Sequence, residues 1–317
     1  MTIDSTIQQA AHLLQNGEVI GFPTETVYGL AANMHSERAI SRIYALKNRP
    51  LNHPLIVHVA SKEQAKNLMA RCSEQLERLM DAFWPGPLTL IVPKNEKVPD
   101  WVTGGQPTVA LRMPNHLIAL QIIEAAGSPL AAPSANPFTH ISPTTADHVR
   151  AYFGTELPLI VDGGPCQAGL ESTIVGFENG APVLYRLGSI SLEALESKLG
   201  PISIKNTSSK IPQAPGMHYK HYSPRTPLIC TDQVMDIVQQ YAGKKIGVLS
   251  FSEHYLHAAI HRSEPLSASG NYAEAAEQLY QKLHQFDAAQ LDLIIAERAP
   301  DVDLGRAIND RLTRASQ

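Results

Sequence analysis

The sequence is short of several things, and each shortage excludes a class of protein. It holds three cysteines, Cys72, Cys166 and Cys230, far apart and with no C-x-x-C pair. That leaves no basis for a disulfide framework or a cysteine-bound zinc. It lacks a basic excess: Lys plus Arg is 26, Asp plus Glu is 30, and the net charge is −4. A surface built mainly to grip nucleic-acid backbone would carry the opposite balance. No run approaches the roughly 18 apolar residues of a membrane span. The segment 1–17 has no basic n-region and reads as an amphipathic helix. A soluble, reduced, cytoplasmic protein is therefore expected. Internal repeats and low-complexity tracts are missing too.

Familiar catalytic signatures are also absent. The nearest approach to a phosphate-binding P-loop runs from Gly164 to Gly169, but Leu170 and Glu171 stand where Lys and a hydroxyl belong. G-x-G-x-x-G, G-x-S-x-G and H-E-x-x-H do not occur. The pairs His218/His221 and His254/His257 lack cysteine or carboxylate partners at zinc spacing, so no resident metal is expected.

What is present is ample material for a core: 44% of residues are hydrophobic and 18% charged. The 317 residues suggest two domains. Helical patterns cover Ser5–Asn16 and Ser36–Asn48, and the spacing of Ser61 and Gln64 fits a capping box. Strand-like runs include Glu18–Phe22, Leu55–Ala60, Leu88–Val92, Thr108–Arg112, Leu157–Val161, Ser172–Phe177 and Pro182–Arg186. The alternation is not a strict β-α-β repeat. Residues 1–203 thus read as an α/β domain on a twisted, mixed sheet. Residues 204–226 read as a linker. Residues 227–317 read as a smaller, Rossmann-like three-layer α/β domain, with strands at Leu228–Cys230, Lys245–Phe251 and Leu291–Ala296 and helices at Asp232–Tyr241, Tyr272–Phe286 and Leu304–Arg314. The linker segment Ala214–Pro224 is dense in aromatic and cationic side chains, which a passive tether would not need.

Five constellations carry possible chemistry. Phe22-Pro-Thr-Glu-Thr-Val-Tyr-Gly-Leu30 reads as a strand-to-helix turn at a strand's carboxyl end, where open α/β sheets bind ligands. Lys47-Asn48-Arg49-Pro50, followed by His53 and His58, offers two cations at a helix end. They suit an anion, or merely the helix dipole. Arg112 ends an apolar strand and needs a partner, either a ligand carboxylate or an internal Asp or Glu. Ala132-Pro-Ser134-Ala-Asn136, continued by Ser142-Pro-Thr144, offers hydroxyls after Leu130. The fifth is Asp162-Gly-Gly, Glu171-Ser172-Thr173 and Arg186. Together, Lys47, Arg49, Arg112 and Arg186 suit a ligand with several negative charges, such as a nucleoside triphosphate arriving with Mg²⁺.

Taken in order, these residues resemble the YrdC-like threonylcarbamoyl-AMP synthase family. The likeness rests on P-T-E-T-V-Y-G-L, K-N-R-P, P-L-I-V-H at Pro54–His58, W-P-G-P-L-T at Trp84–Thr89, V-A-x-R-x-P at Val109–Pro114, A-P-S-A-N, S-P-T, D-G-G and E-S-T. The run A-P-G-M-x-Y-x-H-Y-x-P resembles the linker of the family's long, two-domain form. The resemblance implies synthesis of L-threonylcarbamoyl-adenylate and pyrophosphate from L-threonine, bicarbonate and ATP, with Mg²⁺ on the nucleotide. It implies that other enzymes transfer the product to tRNAs reading codons that begin with A, and it leaves direct tRNA binding open. By position it implies a threonine site at Thr26, His58, Arg112, Ala132 and Ser172. It implies an ATP site at Lys47, Arg49, His53, Thr108, Ser134, Asn136, Ser142, Arg186 and Tyr222. Lys47 and Arg49 are the expected catalytic neutralisers of phosphate charge, and Tyr222 the part of a lid that reaches the nucleotide.

In-line attack of a carbamate on the α-phosphate needs positioning and charge neutralisation more than a nucleophile. Two other readings use the same cations: a double-stranded RNA-binding module with a cationic cavity, and an adenylating enzyme for another amino acid.

Overall fold

The computed structural model describes residues 3–205 and 221–317. Among the described residues nine strands form the first sheet: β1 Ile20–Phe22, β2 Gly29–Asn33, β3 Ile56–His58, β4 Leu88–Pro93, β5 Thr108–Arg112, β6 Leu130–Ala131, β7 Thr173–Glu178, β8 Ala181–Arg186 and β9 Ser203–Ile204. Their order is β1-β2-β6-β3-β5-β4-β7-β8-β9. Pairings of both senses occur: β3 runs parallel to β5, and β4 antiparallel to β5. The sheet is mixed, as the irregular alternation of elements implied.

Four more of the described strands form the second sheet: β10 Leu228–Thr231, β11 Ile246–Ser250, β12 Ile260–Pro265 and β13 Leu293–Glu297. They lie in the order β10-β13-β11-β12, all parallel. β11 is buried along its whole length, the mark of a strand covered on both faces. On β13 the alternation sorts the layers. Leu293 and Ile295 pack with Val234 and Val238 of the helix Val234–Gln240. Ile294 and Ala296 pack with the helices Tyr272–Ala288 and Gly305–Ala315. That is a three-layer α/β/α unit.

Several details of the first domain differ from the sequence expectations. The Pro23–Tyr28 run joins two antiparallel strands, β1 and β2, rather than a strand and a helix. β2, Gly-Leu-Ala-Ala-Asn, is too small-residued to read as a strand. Leu157–Val161 is not a strand; it touches the sheet through a single bridge between Ile160 and Gly21. Ile204 belongs to the sheet, in β9 beside Leu184, not to a linker.

The capping expectation at Ser61 holds in modified form. Its side chain accepts from Gln64 N–H, while Gln64 accepts from the neighbouring Ala60 N–H at 2.8 Å rather than from Ser61.

The two sheets meet through the loop that carries Glu171. Gly169 has φ +68°, and a Cβ there would lie 2.3 Å from Glu277 Cα on the helix Tyr272–Ala288. Only glycine allows the loop to press so closely on the second unit.

Candidate active site

The site is a cavity at the carboxyl ends of β3, β5 and β8. Those strands end in His58, Arg112 and Arg186. Its rim comes from three loops. The first, Pro23–Tyr28, is tied by Thr24, whose hydroxyl donates to Val27 O at 2.7 Å and meets Thr26 Oγ1 at 2.9 Å. The second, Ala132–Asn136, is stitched down by Leu30 N–H to Pro133 O and Ala135 N–H to Tyr28 O. The third carries Glu171 and Ser172.

Lys47 and Arg49 reach the site because of a helix end. The helix Glu37–Lys47 stops at Asn48, which takes the left-handed conformation (φ 52°) with its N–H on Ala45 O. The sharp turn lets residues 47 and 49 both point inward. Lys47 Nζ donates to Ser134 O and Asn136 O, each at 2.5 Å. Arg49 donates to Pro54 O at 3.1 Å. Burial, with Arg49 close by, holds the Lys47 ammonium well below its usual pKa, and Glu171 partly offsets this. Burial also draws Arg49 down to about 10. Such crowded, desolvated cations gain most when an anion enters.

Arg112 has the internal partner that its position demanded. Its Nη2 lies 2.7 Å from Glu25 Oε2, and its Nη1 donates to Thr26 Oγ1 at 2.8 Å. Yet the ion pair is poorly aligned: both Glu25 oxygens, and Arg112 Nε and Nη2, are buried without an aligned hydrogen bond among the described residues. His58 Nδ1 and Arg49 Nε are orphaned in the same way. Burial, then the nearby Arg112 charge, lowers His58 to about 3, so its imidazole is neutral. Buried polar atoms without partners are rare, and a cluster of them around one cavity marks a place for a polar ligand.

Glu171 is the opposite case. It accepts from Ser142 Oγ at 2.6 Å, from Tyr280 OH at 2.9 and 3.0 Å, and from Arg311 Nε at 2.8 Å. Burial would raise its pKa, but Arg311, Arg186 and these hydrogen bonds prevail and hold it at about 2. Arg186 donates to Ser172 O at 2.8 Å and to Ser172 Oγ at 3.1 Å; Thr89 Oγ1 also meets Ser172 Oγ at 2.7 Å.

Most of the expected site residues converge here. Thr26, His58, Arg112, Ala132 and Ser172 line the cavity together with Arg49, Ser134, Arg186 and Tyr222. Lys47 stands behind Ser134, and Ser142 behind Glu171. Asn136 turns its amide to Pro137 O and His140 O. The His53 ring lies 5.7 Å from Phe138, outside the lining. Thr108 departs from expectation: it sits at the far end of β5 from Arg112 and does not line the cavity.

Of the expected lid, residues 214–220 lie outside the described residues. His221 and Tyr222 line the cavity, and Ser223 N–H bonds Thr139 O at 2.8 Å. Sequence reasoning gave no role to Glu25, Glu171, Tyr280 or Arg311. Glu25 and Glu171 sit inside the quoted motifs, whereas Tyr280 and Arg311 carry no local signal.

The four cations have relative exposures of 2% (Lys47), 9% (Arg49), 3% (Arg112) and 8% (Arg186). A duplex could not reach them, which disfavours the RNA-binding reading. No helix among the described residues is long and apolar enough to cross a membrane.

Comparison with known proteins agrees with this geometry. Residues 12–188 match the Sua5_yciO_yrdC family model, described as "Telomere recombination", and residues 190–317 match the threonylcarbamoyl-AMP synthase C-terminal domain. The chain is 42% identical to the threonylcarbamoyl-AMP synthase of Bacillus subtilis (strain 168), across 99% of this chain and 94% of that protein. It is 40% identical to the threonylcarbamoyl-AMP synthase of Pyrococcus abyssi, across 98% and 94%. The crystal structure of P. abyssi Sua5 complexed with L-threonine matches at a TM-score of 0.91 and 40% identity, covering 98% of this chain and 94% of that one.

Proposed function

The chain belongs to the Sua5–YciO–YrdC family, and from that premise we propose that it is a threonylcarbamoyl-AMP synthase. It makes L-threonylcarbamoyl-adenylate and pyrophosphate from L-threonine, bicarbonate and ATP. The product serves N6-threonylcarbamoyladenosine formation on tRNAs reading codons that begin with A, with separate enzymes performing the transfer in the cytoplasm.

One observation carries the reading: buried, under-satisfied polar atoms of Arg49, His58 and Arg112 surround a single cavity. Arg112 takes the threonine carboxylate, exchanging it for the misaligned Glu25. Thr26 and neutral His58 bind the rest of the amino acid, beside Ala132 and Ser172. The threonine amine and bicarbonate combine to a carbamate with loss of water. A carbamate oxygen then attacks the α-phosphorus in line, and pyrophosphate leaves. Lys47, which has a third N–H beyond its two carbonyl contacts, and Arg49 neutralise the phosphate charge. Ser134, Ser142, Asn136 and Arg186 complete the nucleotide side, with His53 at its edge and Tyr222 covering it.

Mg²⁺ enters as part of the nucleotide. Its charge would add to that of Lys47 and Arg49 on the phosphates.

The test is pyrophosphate release from ATP, with threonine and bicarbonate omitted in turn and other amino acids substituted. The reading expects release only with ATP, threonine and bicarbonate together. Equal release with another amino acid, or with none, overturns it.

A further inference from the structure

The second domain contributes two side chains whose placement the reaction chemistry above does not use. Arg311, on the helix Gly305–Ala315, has a side chain with no exposed surface. It donates to Glu171 from Nε and to Leu187 O from Nη2, both at 2.8 Å. Its guanidinium lies over the Tyr222 ring, 5.0 Å from the centroid. Tyr280, on the helix Tyr272–Ala288, donates its hydroxyl to the Glu171 carboxylate, and its ring lies 5.6 Å from that of Tyr222. Glu171 and Tyr222 both face the cavity.

Two residues of one domain therefore grip a cavity carboxylate of the other domain and an aromatic ring of the connecting segment at once. An interface that only had to hold could do so with apolar side chains at no greater cost. A fully hydrogen-bonded ionic cluster instead imposes one geometry.

Resting on the reading above, we propose that Arg311 and Tyr280 are positioning residues for nucleotide binding: they fix the Glu171 carboxylate and the Tyr222 ring in place, so that the cavity holds ATP only when the second domain is docked. The consequence reaches the phosphate side through charge. The ionised Glu171 carboxylate favours the protonated form of Lys47, which burial disfavours. Loosening Glu171 weakens Lys47 as a cation and frees Tyr222 in one step.

The test uses the full chain with Arg311→Met, Arg311→Lys and Tyr280→Phe. The readouts are ATP KM at saturating threonine and bicarbonate, the pH profile of kcat/KM, and threonine binding. Loss of hydrogen bonds to a buried charge predicts about a tenfold to hundredfold rise in ATP KM for Arg311→Met. Arg311→Lys should recover part of it. Tyr280→Phe should show a smaller rise, on the order of threefold to tenfold. Without Arg311 the Glu171 carboxyl titrates higher, so the acid limb of the profile moves up. Adding Glu171→Gln should abolish that movement, which loss of packing alone would not produce.

Folded Arg311→Met with unchanged ATP KM and pH profile overturns the proposal. Should that variant fail to fold, Tyr280→Phe carries the test, and wild-type values there overturn it. Failure of the underlying reading looks different: the wild type itself would release no pyrophosphate with threonine.

Discussion

Two buried arginine–carboxylate pairs sit a short way apart in this molecule, and they are built to opposite rules. Arg112 and Glu25 belong to the first domain, lie 2.7 Å apart, and leave several of their polar atoms without aligned partners. Arg311 and Glu171 join the two domains, lie 2.8 Å apart, and add Ser142 and Tyr280 to complete the carboxylate's hydrogen bonds. A satisfied pair specifies structure; an unsatisfied one is poised to exchange partners. The contrast separates what the cavity is for from what holds it in shape.

The largest expected effect comes from breaking the unsatisfied pair. Arg112→Ala removes the proposed partner of the threonine carboxylate and strands Glu25, which costs about 3–5 kcal/mol of stability. Adding Glu25→Gln should return most of that stability, read by urea unfolding, while threonine-dependent activity stays lost. Recovery of activity in the double variant would make Arg112 a purely structural residue.

This contrast was half legible in the sequence. Arg112 at the end of an apolar strand announced a need for a partner, and the choice between ligand and internal carboxylate could not be made without Glu25 in view. Glu25 lies 87 positions away in a run that read as a turn before a helix. The hairpin there escaped notice because β2 is built of small residues. β12, Ile-His-Arg-Ser-Glu-Pro, escaped because it is a sheet edge, where polar residues replace the apolar pattern. The pocket cations were legible because each follows a strand or helix signal. Arg311 and Tyr280 were not, since their partner Glu171 is 140 and 109 residues distant and no local periodicity records such a contact.

The second prediction sharpens the comparison through pH. Beside the satisfied pair, His148 of the first domain stacks on His284 of the second, ring centroids 3.8 Å apart. Burial lowers His148 from 6.5 to about 4. Burial, then the His148 neighbour, lowers His284 to about 3. The unfolded chain takes these protons first, so their contribution is complete above pH 6.5 and falls away as pH drops towards 4. Glu171, depressed from 4.5 to about 2, keeps its contribution down to lower pH and loses it as pH falls through that range. Urea midpoints should therefore decline below pH 6.5 in the wild type and decline less steeply in His148→Phe/His284→Phe, where the buried His58 and His221 keep the rest of the slope. The same decline in both proteins would assign it elsewhere.

The smallest effect is expected at the rim of the same domain contact. Arg306 and Glu193 bridge the domains at 2.5 Å with Glu193 half exposed. Arg306→Ala should cost less than about 1 kcal/mol in urea unfolding and leave ATP KM unchanged. A loss as large as that of Arg311→Met would mean that any bridge across the seam matters equally, and the distinction drawn above would fail.

The most direct single measurement is a calorimetric titration of L-threonine into the wild type, Arg112→Ala/Glu25→Gln and Arg311→Met. If the unsatisfied pair is the ligand site and the satisfied pair its support, as proposed, heat of binding should vanish in the Arg112 variant and persist in the Arg311 variant. Threonine binding that survives loss of Arg112, or that disappears only with Arg311, would contradict the account.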